Sequence, residues 1–122
     1  MKILATTFLG LLLSMSAWGQ TESEAVAFQH FAMIYTTGSG WDTTKTVNKQ
    51  AYFAEHSRHL QRLRKEDKIV IGGRYSDKGF MILKAKDLSE AQSIVASDTS
   101  VIHKTFQVEL FPFSPFYKGC IE

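Results

Sequence analysis

The chain predicts one α+β domain whose elements follow in the order β-α-β-β-α-β. Three observations carry this. At 122 residues, 44% hydrophobic and 21% charged with two prolines, it has the size and composition of one packed domain, not of a disordered or fibrous segment. Two stretches repeat apolar residues at three- and four-residue spacing, the period of a helix face. Four others are short, aromatic or β-branched, and bounded by turn-forming residues, as strands are.

Met1–Gly19 reads as a secretory signal: Lys2, an apolar run from Ile3 to Leu13, then small residues at Ala17 and Gly19. The run is shorter than the roughly 20 residues needed to cross a bilayer. Cleavage after Gly19 makes Gln20–Glu122 the mature domain, periplasmic or secreted; a buried N-terminal helix or a retained anchor is the alternative. No cysteine follows the run and no second apolar run is long enough to span, so no membrane anchor is expected.

Val26–Thr36 fits a buried first strand. Thr37–Asn48, broken by Gly38 and Gly40, is a long connection of the kind that is often functional. Lys49–Asp67 is the first helix, with Phe53, His56, Leu60 and Leu63 on one face and Arg58, Arg62 and Lys65 opposite. Lys68–Gly73 and Phe80–Lys84 are strands joined through Tyr75–Gly79, close enough for an antiparallel hairpin. The second helix starts at Asp87-Leu88-Ser89-Glu90, with Asp87 or Ser89 as N-cap, and Ser97–Ser100 stops it. Lys104–Phe113 alternates Phe106, Val108 and Leu110 with Gln107 and Glu109, a strand with one buried face. Ser114–Glu122 is a tail holding the lone Cys120.

This order is the ferredoxin-like plan: a four-stranded antiparallel sheet with two helices on one face. The other face needs a cover, and a second copy packed sheet against sheet, a homodimer, is the expected one. A formal charge of +2 gives no clustered basic footprint for nucleic acid. One cysteine permits no intramolecular disulfide.

At about 100° per residue, His56 lies about 20° from Leu63 and about 40° from Leu60, so it points at the sheet. A buried imidazole needs partners: His56 is either a satisfied core histidine or a functional one. His59, at the edge of the stripe, lines the same cleft or is exposed. Together the two histidines lack the third ligand of a zinc site, so no metal is expected. Asp98 is a turn residue or the carboxylate that orients a histidine. Cys120 has no adjoining base, and Gly72-Gly73 is not a phosphate loop.

From His56 on, the chain resembles the YCII-like family of small dimeric α/β-barrel proteins. The matching pieces are His56-x-x-x-Leu60-x-x-Leu63, Ile69–Gly73, Gly79–Ile82, Leu88–Ala91, Ser97–Val101 and the terminal Val108–Phe113 strand. Their order and spacing, over about the whole mature chain, carry the resemblance. It implies a fold similar to muconolactone isomerases and a His–Asp pair in a cleft between sheet and helix, for which His56 and Asp98 are the matching positions. Two departures stand out: Asp98-Thr99 where the family often has Asp-Pro, and Gly73-Arg74 where it often has Gly-Pro. Arg74 is an anion-binding group at the cleft or an exposed residue.

Two readings of function follow. In the first, His56 is a general acid/base held by Asp98, acting without an external cofactor on a small cyclic or aromatic compound seated near Tyr35 and Phe80, in isomerase, lyase or hydrolase chemistry. In the second, the cleft is a non-catalytic site for a small apolar ligand. A cofactor-free monooxygenase is a third, weaker reading.

Overall fold

The computed structural model describes residues 25–119. Met1–Gly19 and Cys120 lie outside them. The described chain is α+β: strands β1 (Gln29–Thr37), β2 (Ile69–Tyr75), β3 (Lys78–Ala85) and β4 (Phe106–Phe113), with helices α1 (Phe53–Lys65), α2 (Leu88–Ala96) and α3 (Thr99–Ile102). All strand pairs are antiparallel, in the order β2-β3-β1-β4. That arrangement is compatible with a ferredoxin-like fold.

Three expectations are corrected. The first helix begins at Phe53 and not Lys49, because Val47–Lys49 forms a separate 3₁₀ turn and Tyr52 adopts a left-handed φ of 63°, which breaks the helical path. The hairpin is tighter than expected: β2 runs on to Tyr75, which pairs with Lys78, leaving a two-residue turn at Ser76-Asp77. Ser97–Ser100 does not simply end α2, since Asp98 caps the additional helix α3. At the start of α2, Asp87 is the N-cap, accepting from the Glu90 N–H at 2.8 Å.

The alternation of β1 decides the layering. Phe31, Met33 and Tyr35 face the helices and are buried, as are Met81, Leu83 and Ala85 of β3. Leu63 of α1 and Ala91 and Ile94 of α2 close the core over them. The opposite face carries Ile34, Phe80 and Ile82 at its centre, with Ile71, Phe111 and Phe113 exposed toward its edges. Past β4, the chain bends toward this face, where Pro115, Tyr117 and Gly119 border a hollow over Phe80 and Ile82.

The long connection after β1 is pinned to the start of β4. Gly38 N–H donates to Thr105 O at 2.9 Å and Gly40 N–H to Lys104 O at 2.8 Å. A Cβ at Gly38 would lie 2.1 Å from the Lys104 carbonyl oxygen, and backbone cannot swing aside as a side-chain tip can. Gly38→Ala is therefore expected to destabilise the fold by about 1–3 kcal/mol. A thermal melt checks this; an unchanged midpoint would show that the loop is not fixed at that contact.

Candidate functional site

Three elements bring the ionisable groups together. The apolar stripe of α1 turns His56 onto the sheet, 7% exposed, with its ring centroid 5.0 Å from that of Tyr35 and 4.8 Å from that of Phe106. The alternation of β1 carries Tyr35 inward. Asp98 arrives because α3 needs an N-cap: its Oδ1 accepts from the Ser100 N–H at 3.0 Å and from the Ser100 hydroxyl at 2.7 Å. Its Oδ2 accepts from His56 Nδ1 at 2.7 Å and from the Tyr35 phenol at 3.2 Å.

Asp98 is thus a carboxylate sealed from water with four donors around it. Burial pushes its pKa up, but the bonds from His56 and Ser100 outweigh burial and hold it below the ordinary carboxylate value. Burial, then the neighbouring Asp98 charge, pushes the Tyr35 phenol far above its ordinary value, so Tyr35 serves as a fixed donor. An acceptor at Nδ1 assigns the Nδ1–H tautomer to a neutral His56. Its Nε2 then carries a lone pair; that atom has no partner among the described residues and is not sealed from solvent.

His56 lines a cleft of about 620 Å³. Trp41 and Val47 from the long connection, Phe53 from α1 and Phe106 from β4 supply apolar walls. Gly72 and Gly79 line it on the sheet side, and a Cβ at Gly72 would press Met81 Cγ at 3.0 Å. Arg74 and Asp77 lie at the hairpin end. The enclosure is apolar with a few polar groups converging, as small-molecule sites are.

No family model, curated protein or solved structure matches this chain. The site therefore rests on its own geometry.

Of the residues singled out from sequence, His56, Asp98 and Tyr35 meet directly, and Arg74 lines the same cleft. The phenol of Tyr35 is engaged by Asp98, and Tyr35 also lines the cleft. Two residues expected at the cleft are elsewhere. Phe80 pairs with Ile34 across the strands and so lies on the opposite sheet face, next to Tyr75. His59 is buried between α1 and the segment from Ser97 to Thr99 and faces a separate hollow. Ser100, Trp41 and Phe106 are site residues that sequence reasoning missed. The length of the loop was a signal for Trp41; nothing in the sequence distinguished Ser100. Among the described residues no three His, Cys, Asp or Glu side chains converge as metal ligands.

His59 has its own signature. Arg62 donates to its Nδ1 at 3.0 Å, and its Nε2 is buried with no partner among the described residues. Burial lowers its pKa from 6.5 against the pull of the Asp98 charge, which raises it, and the charge of Arg62 adds to the lowering. A depressed folded value means the neutral form is favoured on folding. Its contribution to stability is therefore complete above the unfolded value of about 6.5 and is lost as pH falls through the folded value. NMR titration of the His59 ring is expected to give a midpoint below 6.5; one at or above it would contradict this packing.

Proposed function

We propose that this protein is a cofactor-independent small-molecule enzyme of the YCII-like kind, using His56 as acid and base and Asp98 as its positioning residue. In this reading it is exported after loss of Met1–Gly19 and works as a homodimer of ferredoxin-like domains, a dimeric α/β barrel. The observation that carries the catalytic reading is the 2.7 Å bond from His56 Nδ1 to a fully buried, four-fold hydrogen-bonded carboxylate, with Nε2 left free beside an apolar cleft. A histidine kept only for packing has no need of a free Nε2 beside a cleft.

The chemistry follows from that atom. Nε2 takes a proton from an acidic C–H of the substrate, and the bonding pair delocalises into an adjacent carbonyl or double bond. Asp98 stabilises the imidazolium that forms. The same proton returned at a different carbon completes an isomerisation with no redox change; loss of a leaving group instead gives a lyase. Positioned acid–base groups contribute about 10²–10⁴-fold.

The test uses small unsaturated carbonyl compounds incubated with the protein in D₂O, with deuterium uptake followed by NMR. Wild type is expected to exchange the activated C–H of at least one compound that binds the cleft, and His56→Gln to abolish this exchange. If compounds bind yet none exchanges faster than in buffer, the catalytic reading fails and the cleft is a ligand-binding site.

A further inference from the structure

We infer that the ligand of this cleft is a small planar carboxylic acid, with its carboxylate seated on the Arg74 guanidinium and its unsaturated body between the aromatic walls. The inference rests on the reading above only for the location of the reacting atom, at His56 Nε2.

Arg74 sits on β2 opposite Gly79, on the helix-covered side of the sheet. Gly79 presents no side chain, so nothing on the paired position screens the guanidinium from the cleft. Arg74 is exposed and, like Lys49, Arg64, Lys65, Lys86 and Lys104, has no ion pair and no side-chain hydrogen bond among the described residues; it differs from those five in lining the cleft. The acid nearest in sequence, Asp77, lines the same cleft but its side chain is 81% exposed and held by Lys78 at 3.0 Å. The other carboxylate, Asp98, is sealed behind His56. The guanidinium is therefore the one unengaged charge facing the cleft among the described residues.

Its chemistry selects the ligand. A guanidinium offers two parallel N–H donors matched to a planar carboxylate. One guanidinium matches the single charge of a carboxylate, and the remaining side-chain donors of the cleft are the Thr37 hydroxyl, the Trp41 indole N–H and the His56 ring. Trp41, Phe53 and Phe106 accept a flat apolar body. Such an acid would be held at both ends, which fixes which carbon meets Nε2.

Calorimetric titration of the full chain with trans-cinnamate and with its neutral analogue trans-cinnamamide tests this. Wild type is expected to prefer the acid by about tenfold or more. Arg74→Gln should bring the ratio to about one, and Arg74→Lys should keep part of it. His56→Gln should leave the preference in place, which separates this proposal from the catalytic one. Equal affinity for acid and amide in wild type, an Arg74→Gln variant that keeps the preference, or no saturable binding of the acid up to about 10 mM would each overturn it.

Discussion

Asp98→Asn is expected to lower proton transfer at His56 by about 10³-fold or more, within the range that positioned acid–base groups supply, while the protein stays folded. The reason lies in how an amide must sit among four donors. Its carbonyl keeps the α3 cap, accepting from the Ser100 N–H and hydroxyl. Its NH₂ is then aimed at His56 Nδ1 and the Tyr35 phenol. An NH₂ donates, so Nδ1 must become an acceptor and the ring proton moves to Nε2. The cleft then meets an N–H in place of a lone pair, and the base is gone although every atom is nearly in place. The opposite flip would return a carbonyl to His56 but set NH₂ against the Ser100 N–H, giving up the cap. Imidazole ¹⁵N shifts read the tautomer directly: the unprotonated nitrogen should be Nε2 in wild type and Nδ1 in Asp98→Asn. Unchanged shifts with retained exchange would refute the assignment.

The neighbouring substitutions calibrate this. Asp98→Ala removes the acceptor and leaves buried donors from His56, Tyr35 and Ser100 without partners, so it should cost about 3–5 kcal/mol, a large part of the stability of a small domain. Tyr35→Phe removes one donor from Oδ2 and leaves the His56 bond, so a loss of about 1 kcal/mol and a smaller effect on exchange are expected.

The inward turn of His56 was legible from spacing because a helix repeats its faces without outside help. Its partner was not: the contact spans 42 residues, and the sequence placed Asp98 only through the family resemblance. Helix α3 escaped because four residues are too few to show a period; without it, neither the Asp98 cap nor the burial of His59 could be anticipated. Phe80 was misplaced for a different reason. The run Phe80–Ile82–Leu83 is apolar at every position, so alternation gives no parity, and the face is set by the pairing of Phe80 with Ile34 across the sheet. Tyr35, by contrast, sits in a strand whose inward positions are 31, 33 and 35, but what its phenol would find there depended on α3.

The exposed edges of the sheet face lead to the second large expected effect: Ile71→Lys combined with Phe111→Lys should convert the proposed dimer into a monomer. Ile71 and Phe111, 37% and 49% exposed, sit on the two edge strands and flank a centre of Ile34, Phe80 and Ile82. Association along the β4 edge is disfavoured, because Pro112 within it lacks an N–H to offer a new strand. Face-to-face packing would cover the exposed Ile71, Phe111 and Phe113 that surround a centre in which Ile82 is already buried. In a two-fold interface each substitution occurs twice, so four ammonium groups would be desolvated among apolar side chains, raising the dimer dissociation constant by more than about 10³-fold. Sedimentation at micromolar concentration should show wild type near twice the single-chain mass and the variant near the single-chain mass, with a melting point that no longer depends on protein concentration. The competing cover is the chain's own tail, since Pro115, Tyr117 and Gly119 already border the hollow over Phe80 and Ile82. In that case wild type would sediment as a monomer, and deleting residues 115–122 would promote association rather than leave it unchanged. The tail as it lies leaves Phe116 and Tyr117 more than nine-tenths exposed, which is the position of side chains that still lack the surface they pack against.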